Sequence, residues 1–295
     1  QGPERATTVG TLMDRFDDEP LTYEGPDGDE ELDGERLVTG IVTSLYDATM
    51  AAPTEAALAA LAGDDAGRAE QGAAFLGGLA DQQSGRREDG RYGNGLEVQA
   101  AVSRAEAAAP LDRAEGDDLR DRIVTAGGLL AQGSTSGGAA CASLPVGRGD
   151  PPISATPAAS RVLVIGTDGD PATPVEWAPE LAAALGGAPV LRYEGRGHTA
   201  TLSAACVTER AVAFLADPSA AIDTTPCPED PEAADLYRAA AEQFTAMGLP
   251  DSAVPCIADA LRDVDPLDLV GDGEDMDPAV IRSLQSATVR CARGG

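Results

Sequence analysis

Residues 161–165 read RVLVI, and the stretch after them decides the fold: Gly166, the loop TDGDPATP over 167–174, then a helical pattern from Val175 to Leu185. A continuous branched apolar run of this kind suits a strand buried on both faces. Trp177, Leu181, Ala184 and Leu185 recur on one face of the helix. A second strand is expected from Pro189 to Tyr193, then a tight loop EGRGH over 194–198 and a helix from Ser203 to Leu215. Strand, loop and helix come twice in succession, which is the unit of a parallel sheet. The expected fold class is α/β.

Upstream of this core the pattern is different. Residues 1–36 are polar, with acidic runs at Asp17–Glu19 and Asp27–Asp33, and read as an acidic linker or partly ordered arm. From Glu35 to about Ala108 the periodicity is helical: Leu37, Ile41 and Leu45 recur four apart, an alanine-rich helix runs to Ala62, and another covers Leu96 to Ala109. Residues 110–158 read as loop with one helix near Leu119–Leu130, so this half is expected to hold no strand. Downstream, Pro228 and Pro231 mark a boundary, followed by helices expected at Glu232–Met247, Ser252–Arg262 and Pro278–Ala292. The expected divisions are a helical region over 1–159, the α/β region over 160–229 and a helical module over 230–295.

Composition excludes some partners. The 295 residues carry 50 acidic and 21 basic side chains, a formal charge of −29, and every basic residue is arginine. Such a field repels phosphates, which argues against nucleic acid. No apolar run approaches the ~18 residues of a membrane span. The five cysteines, Cys141, Cys206, Cys227, Cys256 and Cys291, form no CxxC or Cys/His cluster, so zinc is not expected. Cys206 and Cys227 flank one expected helix, and Cys256 and Cys291 bracket the last helices. Two disulfides in an oxidising compartment are the natural expectation, with Cys141 left over. The acidic cluster from Asp263 to Asp277 reads as solvated surface rather than a metal site.

In an open parallel sheet, chemistry gathers beyond the carboxyl ends of the strands. Asp170 follows the first expected strand by five residues, and His198, the single histidine, follows the second by five. Adjacent strands lie about 4.8 Å apart, so the two loops can join a carboxylate to an imidazole. That pair is the acid and base of an acyl-transfer triad, in which the ring takes a serine proton and the carboxylate fixes its tautomer. Asp168 is the alternative acid, and Trp177 is expected to pack beneath the loop.

The stretches GTDGDPATPVEWAPELAAAL (166–185), YEGRGHTA (193–200), AACVTERAVAFLADP (204–218) and TTPC (224–227) resemble the C-terminal region of the tripeptidyl-aminopeptidase-like α/β-hydrolases, exported actinobacterial peptidases and esterases. LVTGIVTSLYDATMAAPTEAALAALAGDD (37–65) resembles the helical cap before that region, and CASLP (141–145) the cysteine-containing segment preceding the aspartate strand. The resemblance implies that Asp170 and His198 are triad acid and base. It further implies that Cys206–Cys227 is a disulfide, that the substrate is a small peptide or ester, that no cofactor is needed, and that the protein acts outside the cytoplasm.

Two departures stand out. The cysteine that the family would pair with Cys141 is replaced near Ser103–Arg104. The nucleophile elbow GxSxG does not occur in these 295 residues. The nearest sequence, GSTSG over 133–137, centres Thr135 and lacks the strand–turn–helix setting of an elbow, so Ser134, Thr135 and Ser136 read as loop. In the family the serine-bearing half precedes the cap. The expectation is therefore the later strands of a doubly wound hydrolase sheet with cap and helical tail, lacking that half. The alternative is a non-catalytic binding module or decayed hydrolase.

Overall fold

The computed structural model describes residues 3–87, 90–106, 114, 117–118, 121–123, 125, 161–201, 203–246, 249–270 and 278–292. The chain divides into two compact units, one of residues 1–43 and 57–152, the other of residues 44–56 and 153–295.

The first unit opens with helix α1 (Pro3–Asp18), whose Leu12, Met13 and Phe16 form a buried stripe. Each such side chain stabilises the fold by roughly 1.5–3 kcal/mol. An antiparallel hairpin follows, β1 (Leu21–Gly25) and β2 (Gly28–Leu32), with Gly25 opposite Gly28 across a two-residue Pro26–Asp27 turn. Helices α2 (Gly34–Ser44), α3 (Ala51–Ala62), α4 (Ala66–Gln83) and α5 (Gly95–Glu106) come next in the chain. The backbones of α2 and α4 approach closely: a Cβ on Gly40 would strike the Leu76 carbonyl oxygen.

The arm expected over 1–36 is thus helix and hairpin, and this half does contain strands. Two signals account for the difference. Val9, Leu12, Met13 and Phe16 carry helical spacing, and Gly25-Pro26-Asp27-Gly28 is a turn sequence with a mechanism, ending on Gly28 at φ +116°. The acids mislead because they are paired. Glu30 on β2 accepts from Arg86 at 2.5 Å and from the buried Tyr23 hydroxyl at 2.9 Å. Asp81, itself buried, binds Arg86 at 2.7 Å and Arg36 at 3.1 Å. A strand with a paired glutamate on its inner face does not show hydrophobic alternation.

The second unit is built on a three-stranded parallel sheet ordered β3-β4-β5: β3 (Val164–Gly169), β4 (Val190–Arg196) and β5 (Cys227–Pro228). Helix α6 (Trp177–Ala184) joins β3 to β4, and α7 (Ala205–Ala216) joins β4 to β5. Leu191, Tyr193, Val207 and Cys227 form one buried cluster, and Val164, Ala178 and Ala182 another. This is the α/β architecture expected from 161–215, with one further short strand.

Both main strands run on past their expected ends. Gly166 reads as a stop but pairs with Arg192, and its missing side chain admits the Ala178 methyl, which a Cβ there would approach to 3.0 Å. β4 continues through a bulge, since Thr167 faces Tyr193 while Gly169 faces Arg196. The face assigned to α6 is also corrected. Ala178 and Ala182 are its buried residues, whereas Trp177 is 56% exposed and does not pack beneath the loop.

After β5 come α8 (Leu236–Ala246), α9 (Val254–Leu261) and α10 (Pro278–Ala292), close to the three expected helices. Ala241, Val254, Ile257, Leu261 and Cys291 form their core. The helix expected near Leu119–Leu130 falls largely outside the described residues. Among the described residues no helix is long and apolar enough to cross a membrane.

Candidate active site

Asp170 is the first residue beyond β3, closer to the strand than the expected spacing of five, and its own loop shapes its carboxylate. Oδ1 accepts the N–H groups of Ala172 and Thr173, each at 2.8 Å, and Oδ2 accepts the Thr173 hydroxyl at 2.7 Å. This is an Asx turn, which an Asp-Pro sequence is built to make. The side chain is only 4% exposed. Burial pushes its carboxyl up, but the Thr173 N–H and hydroxyl, the Ala172 N–H and His198 together outweigh burial and hold it below the usual carboxylate range.

His198 stands two residues beyond β4. Its Nδ1 lies 3.0 Å from Oδ1 and 3.0 Å from Oδ2 of Asp170, so the neighbouring strand ends do bring the two side chains together. The ring is 31% exposed, in contrast to its nearly buried partner. Because the carboxylate is ionised and accepts only, the proton of a neutral ring belongs on Nδ1, which leaves the Nε2 lone pair to take a proton from a hydroxyl.

The loop bearing His198 is tightly wound. Gly197 has φ +100° and Thr199 φ +66°, placing left-handed residues on both sides of the histidine. The His198 backbone N–H donates to the Tyr46 carbonyl at 2.8 Å. The Tyr46 ring meets the imidazole edge-on, with centroids 5.0 Å apart and planes at 68°. No local signal in the sequence marks Tyr46.

Asp168, the alternative acid, points elsewhere. It forms a two-point pair with Arg192, at 2.5 and 2.7 Å, which holds its carboxyl below the usual range. Cys206 and Cys227 are joined, tying the start of α7 to β5, where Cys227 pairs with Tyr193 of β4. Cys256 and Cys291 are joined as well, across the terminal helices. Two disulfides are the chemistry of an oxidising environment. Cys141 and the GSTSG stretch with Ser134, Thr135 and Ser136 lie outside the described residues. Among the described residues no group of three or more His, Cys, Asp and Glu side chains is arranged to hold a metal ion.

Residues 130–227 match the family model of the TAP-like proteins, a group of α/β-hydrolases, and a parallel α/β sheet with a buried carboxylate and an imidazole at adjacent strand ends is consistent with that match. Over 144 residues, 47% of the chain, the sequence is 35% identical to carboxylesterase B of Mycobacterium tuberculosis and to a protein of Mycobacterium bovis named as a hydrolase. The match spans 28% of the length of each of these relatives.

Proposed function

We propose that this chain supplies the acid and base of a serine hydrolase that cleaves peptide or ester bonds through an acyl-enzyme. His198 takes the proton of a serine hydroxyl as the serine attacks the substrate carbonyl, then returns it to the departing amine or alcohol. Asp170 holds the proton on Nδ1 and stabilises the imidazolium that forms. The single observation carrying this reading is the 3.0 Å approach of His198 Nδ1 to both oxygens of a carboxylate that already accepts three hydrogen bonds from its own loop.

On this reading the nucleophile and oxyanion hole come from polypeptide other than these residues, which the absence of GxSxG here and the 28% coverage of each relative support. We divide the chain into a cap region over 1–159, the acid–base region over 160–229 and an accessory helical module over 230–295. Between substrates, action on the ends of short peptides is our favoured specialisation, with simple esters also turned over; the carboxylesterase name of the mycobacterial relative speaks for the ester. The two disulfides support a place outside the cytoplasm.

The missing elbow also favours a second reading, a non-catalytic binding module. Fluorophosphonate labelling separates the two. The isolated chain should stay unlabelled, whereas the chain joined to a GxSxG-bearing segment from its own upstream coding sequence should label at that serine. If the joined protein folds and does not label, the binding-module reading replaces ours.

A further inference from the structure

The hydrogen bond between His198 and Asp170 leaves one freedom of the ring open. An Nδ1 equidistant from both oxygens of a carboxylate is well aimed, yet the ring can still tilt through coupled turns about its Cα–Cβ and Cβ–Cγ bonds, which weakens that bond as its angle bends. A general base needs the plane fixed too, because the plane decides where the Nε2 lone pair points.

We infer that Tyr46 is the positioning residue that sets the plane of the His198 imidazole. The inference rests on the proposed role of His198 and names the group that makes its geometry single-valued. Three observations carry it. The Tyr46 carbonyl accepts the His198 N–H at 2.8 Å, fixing the backbone from which the ring projects. The tyrosine ring meets the imidazole at 68° with centroids 5.0 Å apart, an edge-to-face contact that opposes such a tilt. The loop is shaped around this contact: at Gly197, φ is +100° and a Cβ would stand 3.1 Å from the Tyr46 carbonyl oxygen and 3.6 Å from the Ala48 nitrogen.

The support under Tyr46 is itself fastened. Asp47 Oδ1 accepts the Thr49 N–H at 2.9 Å and the Thr49 hydroxyl at 2.8 Å, and the Asp47 carbonyl accepts the Met50 N–H at 3.0 Å. A histidine loop with left-handed residues on both sides, Gly197 and Thr199, keeps that shape only when its surroundings over-determine it. The Tyr46–Met50 turn is one such surrounding, contributed by a segment distant in sequence.

The protein holds one histidine, so its imidazole is directly readable. In the full chain labelled with 15N-histidine, at a pH where the ring is neutral, the Nδ1–H tautomer should dominate. Tyr46→Leu should lower the Nδ1–H to Nε2–H ratio roughly two- to twelve-fold, the worth of an edge-to-face pair, with the amide signals of β3 and β4 unchanged. Tyr46→Phe, which keeps the ring, should restore the wild-type ratio. A folded Tyr46→Leu protein with the wild-type ratio overturns the inference, as does a wild-type ring protonated mainly on Nε2. Loss of the sheet's amide pattern in Tyr46→Leu overturns it too, by making Tyr46 a residue of the fold. None of these readouts needs turnover, so failure of the hydrolase proposal and failure of this one are told apart.

Discussion

The Nδ1 of His198 stands 3.0 Å from each carboxylate oxygen of Asp170, and those oxygens already accept three hydrogen bonds from Ala172 and Thr173. The carboxylate is thus held still before the histidine reaches it. An acid fastened in this way can hold the orientation of a ring that bonds to it.

Asp170→Asn tests that orientation. The amide nitrogen would meet an Nδ1–H with another donor and turn the ring to the wrong tautomer. In the protein joined to a GxSxG-bearing segment, kcat should fall roughly 10⁴-fold with little change in KM. Ester hydrolysis by the two proteins measures it, and a loss below about tenfold would remove Asp170 from the triad.

Asp168→Asn is the matched control. Asp168 is engaged by Arg192, whose side chain is 51% exposed, and exposed ion pairs contribute about 0–1 kcal/mol. Hydrolysis should persist within a few-fold, roughly the kinetic equivalent of such a pair. A loss as deep as that of Asp170→Asn would exchange the roles of the two acids.

Much of this pair is legible in the sequence because its determinants are local. The apolar runs before TDGDPATP and EGRGH announce the strands, and the two loops put their chemistry at neighbouring strand ends. The strand ends themselves are not legible, because Gly166 looks like a terminator until the Ala178 methyl is seen beside it, and Gly195 sits in a bulge that periodicity cannot show. Helical spacing puts Trp177 on the buried face of α6, yet two alanines, Ala178 and Ala182, occupy that face. Tyr46 is out of reach for a different reason: its contact with His198 joins segments on either side of more than a hundred intervening residues. The β1–β2 hairpin is hidden because Glu30 is paired with arginines supplied by later elements.

That Glu30 pairing makes the first unit sensitive to acid. Burial raises its carboxyl, but the bonds from Arg86 and Tyr23 and the charges of Arg86 and Arg36 outweigh it, so its folded value lies below the ordinary one. A depressed carboxylate contributes stability above its unfolded value, about 4.3, and loses it as pH falls through the folded value. Glu30→Gln should therefore destabilise the protein by roughly 3 kcal/mol at pH 7, with the difference from wild type shrinking as pH drops below about 4. Thermal unfolding of both proteins across pH shows it; a constant gap would rule out the linkage.

The disulfides Cys206–Cys227 and Cys256–Cys291 close loops of 21 and 35 residues. Chain-entropy reasoning assigns each about 3–4 kcal/mol. Replacing Cys256 and Cys291 together by serine should lower the unfolding temperature and release the amides of Val254–Leu261 to hydrogen exchange, since Ile257 and Leu261 lie in the core that Cys291 completes. Unchanged protection there would show that the helices hold without the link.

The most direct measurement is turnover after His198→Ala in the protein joined to a GxSxG-bearing segment, with folding verified by circular dichroism. With His198 as general base, hydrolysis of peptide and ester substrates should drop by about 10⁴-fold or more. A folded His198→Ala protein that retains wild-type turnover would contradict that role.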